Sequence, residues 1–119
     1  MSDSKGNDEP VIDRASFDEL RETAGADFVK ELVQTFLEEA PGILQELRSA
    51  HAEGKADDFR RAAHSLKSNS LTFGALPLAA LARELELGGL AAAPTAAPID
   101  ALAQAYEVAA AALTGLSHD

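Results

Sequence analysis

The sequence predicts an all-α fold, an antiparallel four-helix bundle with a short additional helix at its N-terminal side. Three observations point there. Apolar residues recur at spacings of three and four through four long segments. Glycines, prolines and capping residues fall mainly between those segments. Ala and Leu dominate, aromatics make up 5% of the chain and Trp is absent, a composition that suits helices better than sheet. A chain of 119 residues is long enough for one core and one domain. The expected division is a disordered polar tail over residues 1–11 and a bundle domain over 12–119.

The first helix is expected to follow Ser16, because Ser16-Phe17-Asp18-Glu19 has the form of a capping box, and Gly25 stops it. Asp27 can cap the second. There Val29, Val33, Phe36, Ala40, Ile43, Leu47 and Ala50 keep a seven-residue rhythm up to Gly54. Pro41 lies inside it. Proline removes a backbone donor and crowds the preceding turn, but the apolar phase is the same on both sides, which favours one kinked helix over two. Ala56 or Asp57 opens the third helix, whose stripe is Phe59, Ala62, Leu66, Ser70 and Phe73, and Gly74 closes it. Pro77 suits a first helical turn, and Leu78, Leu81, Ala82 and Leu85 form the fourth stripe, ending at Gly88-Gly89. An Ala/Pro/Gly linker over residues 90–98 leads to the last helix, with Ile99, Leu102, Tyr106, Ala109, Leu113 and Leu116 at its a and d positions. Short connections between such helices give an antiparallel bundle.

Charge narrows the function. The formal net charge of −10 disfavours nucleic acid and anionic membranes as partners. There is no cysteine, hence no disulfide or thiol chemistry. The N-terminus shows no charged-then-apolar signal segment and no apolar run reaches about 18 residues, so a cytoplasmic protein is expected. The starting Met and polar head favour a free-standing chain over a fragment of a larger kinase. A complete four-helix core needs no second chain, so a monomer is expected.

The third helix departs from the acidity of the rest. Between Phe59 and Leu76 stand three basic residues, Arg60, Arg61 and Lys67, and no acidic one. At about 100° per residue, His64 lies roughly 160° from the buried Leu66, on the face turned to water. Ser68 and Arg61 lie beside it, Lys67 and Arg60 flank it, and Leu71 is an apolar residue on this otherwise polar face. An exposed imidazole among cations is the setting a phosphoryl group needs, since phosphate brings roughly −1.5 to −2 charges and acceptor oxygens. An imidazole also keeps a nucleophilic nitrogen at cellular pH. Position alone also admits a plain surface histidine. The three cations equally fit solvated helix charges, Asp57 standing four residues from Arg61 at ion-pair spacing.

Ala63-His64-Ser65-Leu66-Lys67-Ser68, followed by Gly74-Ala75 and Leu85-Glu86, resembles the histidine-containing phosphotransfer (HPt) domains of multistep two-component signalling, whose motif reads A-H-x-L-K-[G/S], then G-A, then L-E. The resemblance covers residues 12–116, nearly the whole chain. It implies His64 as phosphoacceptor, with Nε2 attacking the aspartyl phosphate of a receiver domain and passing the group to another receiver's aspartate, and Lys67 as its electrostatic support. The residue after the lysine is often glycine; Ser68 is still small, a tolerated variant that tunes which partners dock. Glu86, at the L-E position, either orients the imidazole by accepting an N–H bond or is a surface glutamate. Arg60, Arg61, Ser68 and Leu71 complete the supporting or docking set. The implied partners are receiver domains of response regulators and of a hybrid histidine kinase. No cofactor is implied for the chain itself, Mg²⁺ belonging to the receiver, and no ATP-dependent kinase activity is expected of it.

The rival reading from another class is an inert helical adaptor that binds a partner domain through the His64/Leu71 face. A metal-binding bundle needs an inward Glu-x-x-His pattern that is missing, and His51 and His118 have no ligand spacing with His64. There is no Gly-rich phosphate loop, and Ser65, Ser68 and Ser70 have no second histidine beside them.

Overall fold

The computed structural model describes residues 11–117. The expected disorder of the tail falls on residues outside that range except for Val11, which is half-buried against the core; His118 also lies outside it. Among the described residues there are five α-helices and no strand: α1 (Arg14–Ala24), α2 (Ala26–Glu53), α3 (Ala56–Thr72), α4 (Leu76–Gly88) and α5 (Ala97–Ser117). Helices α2 to α5 close a ring in which each packs on its two neighbours, α3 most closely on α4 and α2, and α1 lies against α2. No described helix is long and apolar enough to cross a membrane.

The stripes are the core. Phe59, Ala62, Leu66, Ser70 and Phe73 are all buried on the inner side of α3, joined by Ala63, which the three-and-four spacing did not single out. Val29, Val33, Phe36, Ala40, Leu47 and Ala50 from α2, Leu78, Ala82 and Leu85 from α4, and Ile99, Leu102, Tyr106, Ala109 and Leu113 from α5 meet them. Ile43, Leu81 and Leu116, expected on the same stripes, are half-buried at its margin. The ring of Phe36 sits 5.4 Å from Phe73 and 5.8 Å from Tyr106, tying α2 to the end of α3 and to α5. A fully buried large apolar side chain contributes about 1.5–3 kcal/mol by leaving water. Helix α2 runs unbroken through Pro41, which faces solvent while Ala40 beside it is buried, so packing on both sides of the proline outweighs the lost backbone bond.

Three helix starts differ from the expected ones, those of α1, α2 and α5. Helix α1 starts at Arg14, and its N-cap is Asp13, whose carboxylate accepts from Ser16 N at 3.3 Å and from the Ser16 hydroxyl. Ser16 is therefore a donor to the cap and not the cap itself. A tertiary contact decides this: Asp13 N donates to Gly74 O at 2.7 Å, which pins the chain before α1 to the α3–α4 turn. Helix α2 begins at Ala26 after Gly25, with Asp27 in its first turn and no side-chain cap. Ala56 opens α3. The expected linker after α4 contains a 3-10 turn over Gly89–Ala92, and α5 begins at Ala97, so Pro98 stands in its first turn, where no intrahelical donor is needed.

Candidate phosphotransfer site

The site is built on the α3–α4 hairpin. The chain turns through Phe73, Gly74 and Ala75, with Ala75 N donating back to Ser70 O at 2.9 Å. Gly74 has φ +75°, and a Cβ there would meet Asp13 O and Ser16 Cβ at 3.0 Å, so both the turn and the docking of α1 require glycine. The turn lays α4 antiparallel along α3, and α4 presents Glu86 to the outer face of α3.

There Glu86 holds two residues at once. Its Oε2 accepts a hydrogen bond from His64 Nδ1 at 2.7 Å, and its Oε1 lies 2.8 Å from Lys67 Nζ. The His64 side chain is 57% exposed, whereas Glu86 and Lys67 are only 22% and 23% exposed. Oε1 is shielded from solvent, and the Lys67 ammonium is what compensates it. The ammonium first and the histidine N–H second hold the Glu86 carboxyl below the usual carboxylate range. A carboxylate can only accept, so the neutral ring carries its proton on Nδ1 and Nε2 keeps a free electron pair. The Ser68 hydroxyl lies 3.5 Å from Nε2, one turn along α3.

The surrounding charges are less free than the sequence suggested. Lys67 is paired with Glu86, and Arg61 pairs with Asp58 at 3.3 Å, not with Asp57. Arg60 reaches across to the end of α4: a Cβ on Gly89 would lie 2.9 Å from its guanidinium, so the glycine makes room for it. Leu71 is 50% exposed, two turns from His64 on the same face. His51 is elsewhere, its Nε2 2.8 Å from Ala93 O and its ring near Phe59, where it ties α2 to the 3-10 turn. Among the described residues no three metal-ligating side chains group together. Sequence reasoning had set Glu86 beside His64 as one of two options. It placed Ser68 beside His64, as the structure does, and it missed the Lys67–Glu86 pair, whose sole linear trace is the motif order itself.

His64 is thus an exposed histidine on the outer face of a four-helix bundle, with one ring nitrogen held and the other open. The family model for the Hpt domain matches residues 31–112. The chain belongs to the Hpt domain family. This Hpt domain is similar in structure to histidine-containing phosphotransfer protein B (HptB) from Pseudomonas aeruginosa PAO1, with a TM-score of 0.83 and 25% sequence identity over 92% of this chain and 96% of that one. Comparison with curated proteins by sequence finds no match. The function of the Hpt domain is histidine phosphotransfer in a phosphorelay, and receiver domains are the kind of partner it works with.

Proposed function

We propose that His64 is the phosphoacceptor of this Hpt domain and that Lys67 and Glu86 prepare it. The observation that carries the reading is the 2.7 Å contact of Nδ1 with Glu86 on a ring that is otherwise open to solvent. Nε2 attacks the phosphorus of a receiver's aspartyl phosphate; the N–P bond forms, the P–O bond to the aspartate breaks, and its electron pair leaves with the carboxylate. The ring, now substituted at Nε2 and still protonated at Nδ1, is cationic, and the Glu86 carboxylate beside it offsets that charge. Transfer onward to a second receiver's aspartate reverses these changes and returns the neutral ring. Beyond the His64 nucleophile, the contribution of the protein is positioning and electrostatics.

On this reading the donor is the receiver of a hybrid histidine kinase and the acceptor is that of a response regulator. The chain acts as a cytoplasmic monomer whose bundle domain spans residues 12–119. The test is incubation with a phosphorylated receiver. Label is expected on the chain in a form stable to base and labile to acid, and His64→Gln is expected to abolish it while shifting stability by no more than about 0.5 kcal/mol, as exposed substitutions do. Labelling of that variant, or label on His51, would sink the assignment.

A further inference from the structure

Two hydroxyls in the last turn of α3 bond the carbonyl one turn back. Ser70 donates to Leu66 O at 2.6 Å and Thr72 to Ser68 O at 3.1 Å. Ser68 does otherwise: its hydroxyl lies against His64 Nε2, and among the described residues it has no other partner. The separation, 3.5 Å, is long beside the roughly 2.8 Å of a strong hydrogen bond, so the electron pair of Nε2 is not tied up. The other polar side chains of the site are engaged, Lys67 and Glu86 with each other and Arg61 with Asp58, while Arg60 lies against Gly89. Ser68 is thus an uncommitted donor next to the atom that is to carry phosphorus.

We propose that the Ser68 hydroxyl donates a hydrogen bond to a phosphoryl oxygen once phosphorus is bonded to Nε2, and that it thereby prolongs the life of the phosphohistidine. This deepens, and depends on, the reading of His64 as phosphoacceptor. Spontaneous loss of the group needs only water: a water oxygen bonds to phosphorus, the N–P bond breaks, its electron pair returns to Nε2, and a proton of the water passes to the phosphate or to solvent. Serine gains and loses no atom. The transition state of such a transfer is loose, so negative charge drains from the phosphoryl oxygens as the N–P bond opens. A donor on one of those oxygens therefore binds the ground state more strongly than the transition state and slows the loss.

The experiment labels the full chain with phosphoramidate, removes the donor, and follows phosphohistidine by phosphorus NMR at neutral pH with no receiver present. Ser68→Ala is expected to lose the group about three- to tenfold faster than the unaltered protein, the worth of one hydrogen bond, with helicity unchanged. Ser68→Thr, which keeps the hydroxyl, is expected to restore the longer half-life. Equal or longer half-life in Ser68→Ala overturns the proposal, as does equally fast loss from the Ala and Thr variants. Those outcomes leave His64 in place as acceptor. Absence of label on the unaltered protein overturns the acceptor reading itself, and the role of Ser68 with it.

Discussion

His64 and Glu86 stand eleven residues on either side of Ala75, and the antiparallel pairing of α3 with α4 turns that symmetry into a 2.7 Å hydrogen bond between Nδ1 and Oε2. Eleven residues of helix rise about 16 Å, so equal counts from the turn bring the two side chains level. The contact selects one tautomer and leaves the electron pair of Nε2 free.

Replacing Glu86 tests that selection. Glu86→Gln retains an acceptor oxygen but loses the charge that balances the phosphorylated ring. Labelling of His64 by phosphoramidate is expected to slow by about tenfold or more, the scale of a hydrogen bond to a charged group. An unchanged rate in that variant would remove the carboxylate from the mechanism.

The same carboxylate makes stability depend on pH. Its folded-state pKa is held below the ordinary value of 4.5, so its contribution is complete above that value and is lost as pH falls through the lower folded one. The difference in urea midpoint between the unaltered chain and Glu86→Gln is expected to be present near neutral pH and to shrink progressively on acidification below the ordinary carboxylate value, and to be modest throughout because solvent screens the pair. A difference that persists undiminished in acid would contradict the ion pair.

On the proposed reading, Lys67 acts through Glu86 as well as on the incoming phosphoryl group. Lys67→Ala leaves Oε1 without its compensating cation, so the carboxyl is expected to titrate nearer its ordinary value in that variant. Transfer from a saturating receiver is expected to slow by about tenfold, with little change in melting. A first-order rate equal to that of the unaltered protein would leave the lysine with a structural role alone.

Leu71 tests docking apart from chemistry. It is exposed, it shares the face of His64, and its aliphatic side chain carries no group that could donate to or accept from Nε2 or Glu86. Leu71→Asp is expected to raise the receiver concentration needed for half-maximal transfer by about tenfold or more, as the loss of a buried apolar anchor does. Labelling by phosphoramidate is expected to be unaffected. A receiver dependence identical to that of the unaltered chain would move the docking surface away from this face.

Much of this was legible in linear order because helices convert spacing into direction. From Phe59, Ala62, Leu66 and Ser70 alone, the inner side of α3 and the outward place of His64 follow, and both hold in the structure. The unbroken phase around Pro41 likewise carried α2 through as one helix. Helix ends were less legible. Asp13 displaced Ser16 as the cap of α1 because a backbone bond to Gly74, some sixty residues away, holds Asp13 at the entry to the helix.

By itself the sequence determined an all-α bundle, its buried stripes, and a motif that set an exposed histidine, a lysine one turn on and a glutamate on the next helix. The stripes and the outward face are properties of single helices, which local periodicity is enough to state, and the lysine and glutamate follow from the resemblance of the motif to the Hpt family. Only the tertiary structure decided how the three side chains divide their contacts. Lys67 and His64 share the two oxygens of one Glu86 carboxylate, Arg61 turns to Asp58, Arg60 lies against Gly89, and Ser68 is left facing Nε2. Charge pairing between helices depends on the register and closeness of α3 and α4, and no periodicity within either helix specifies which oxygen meets which cation.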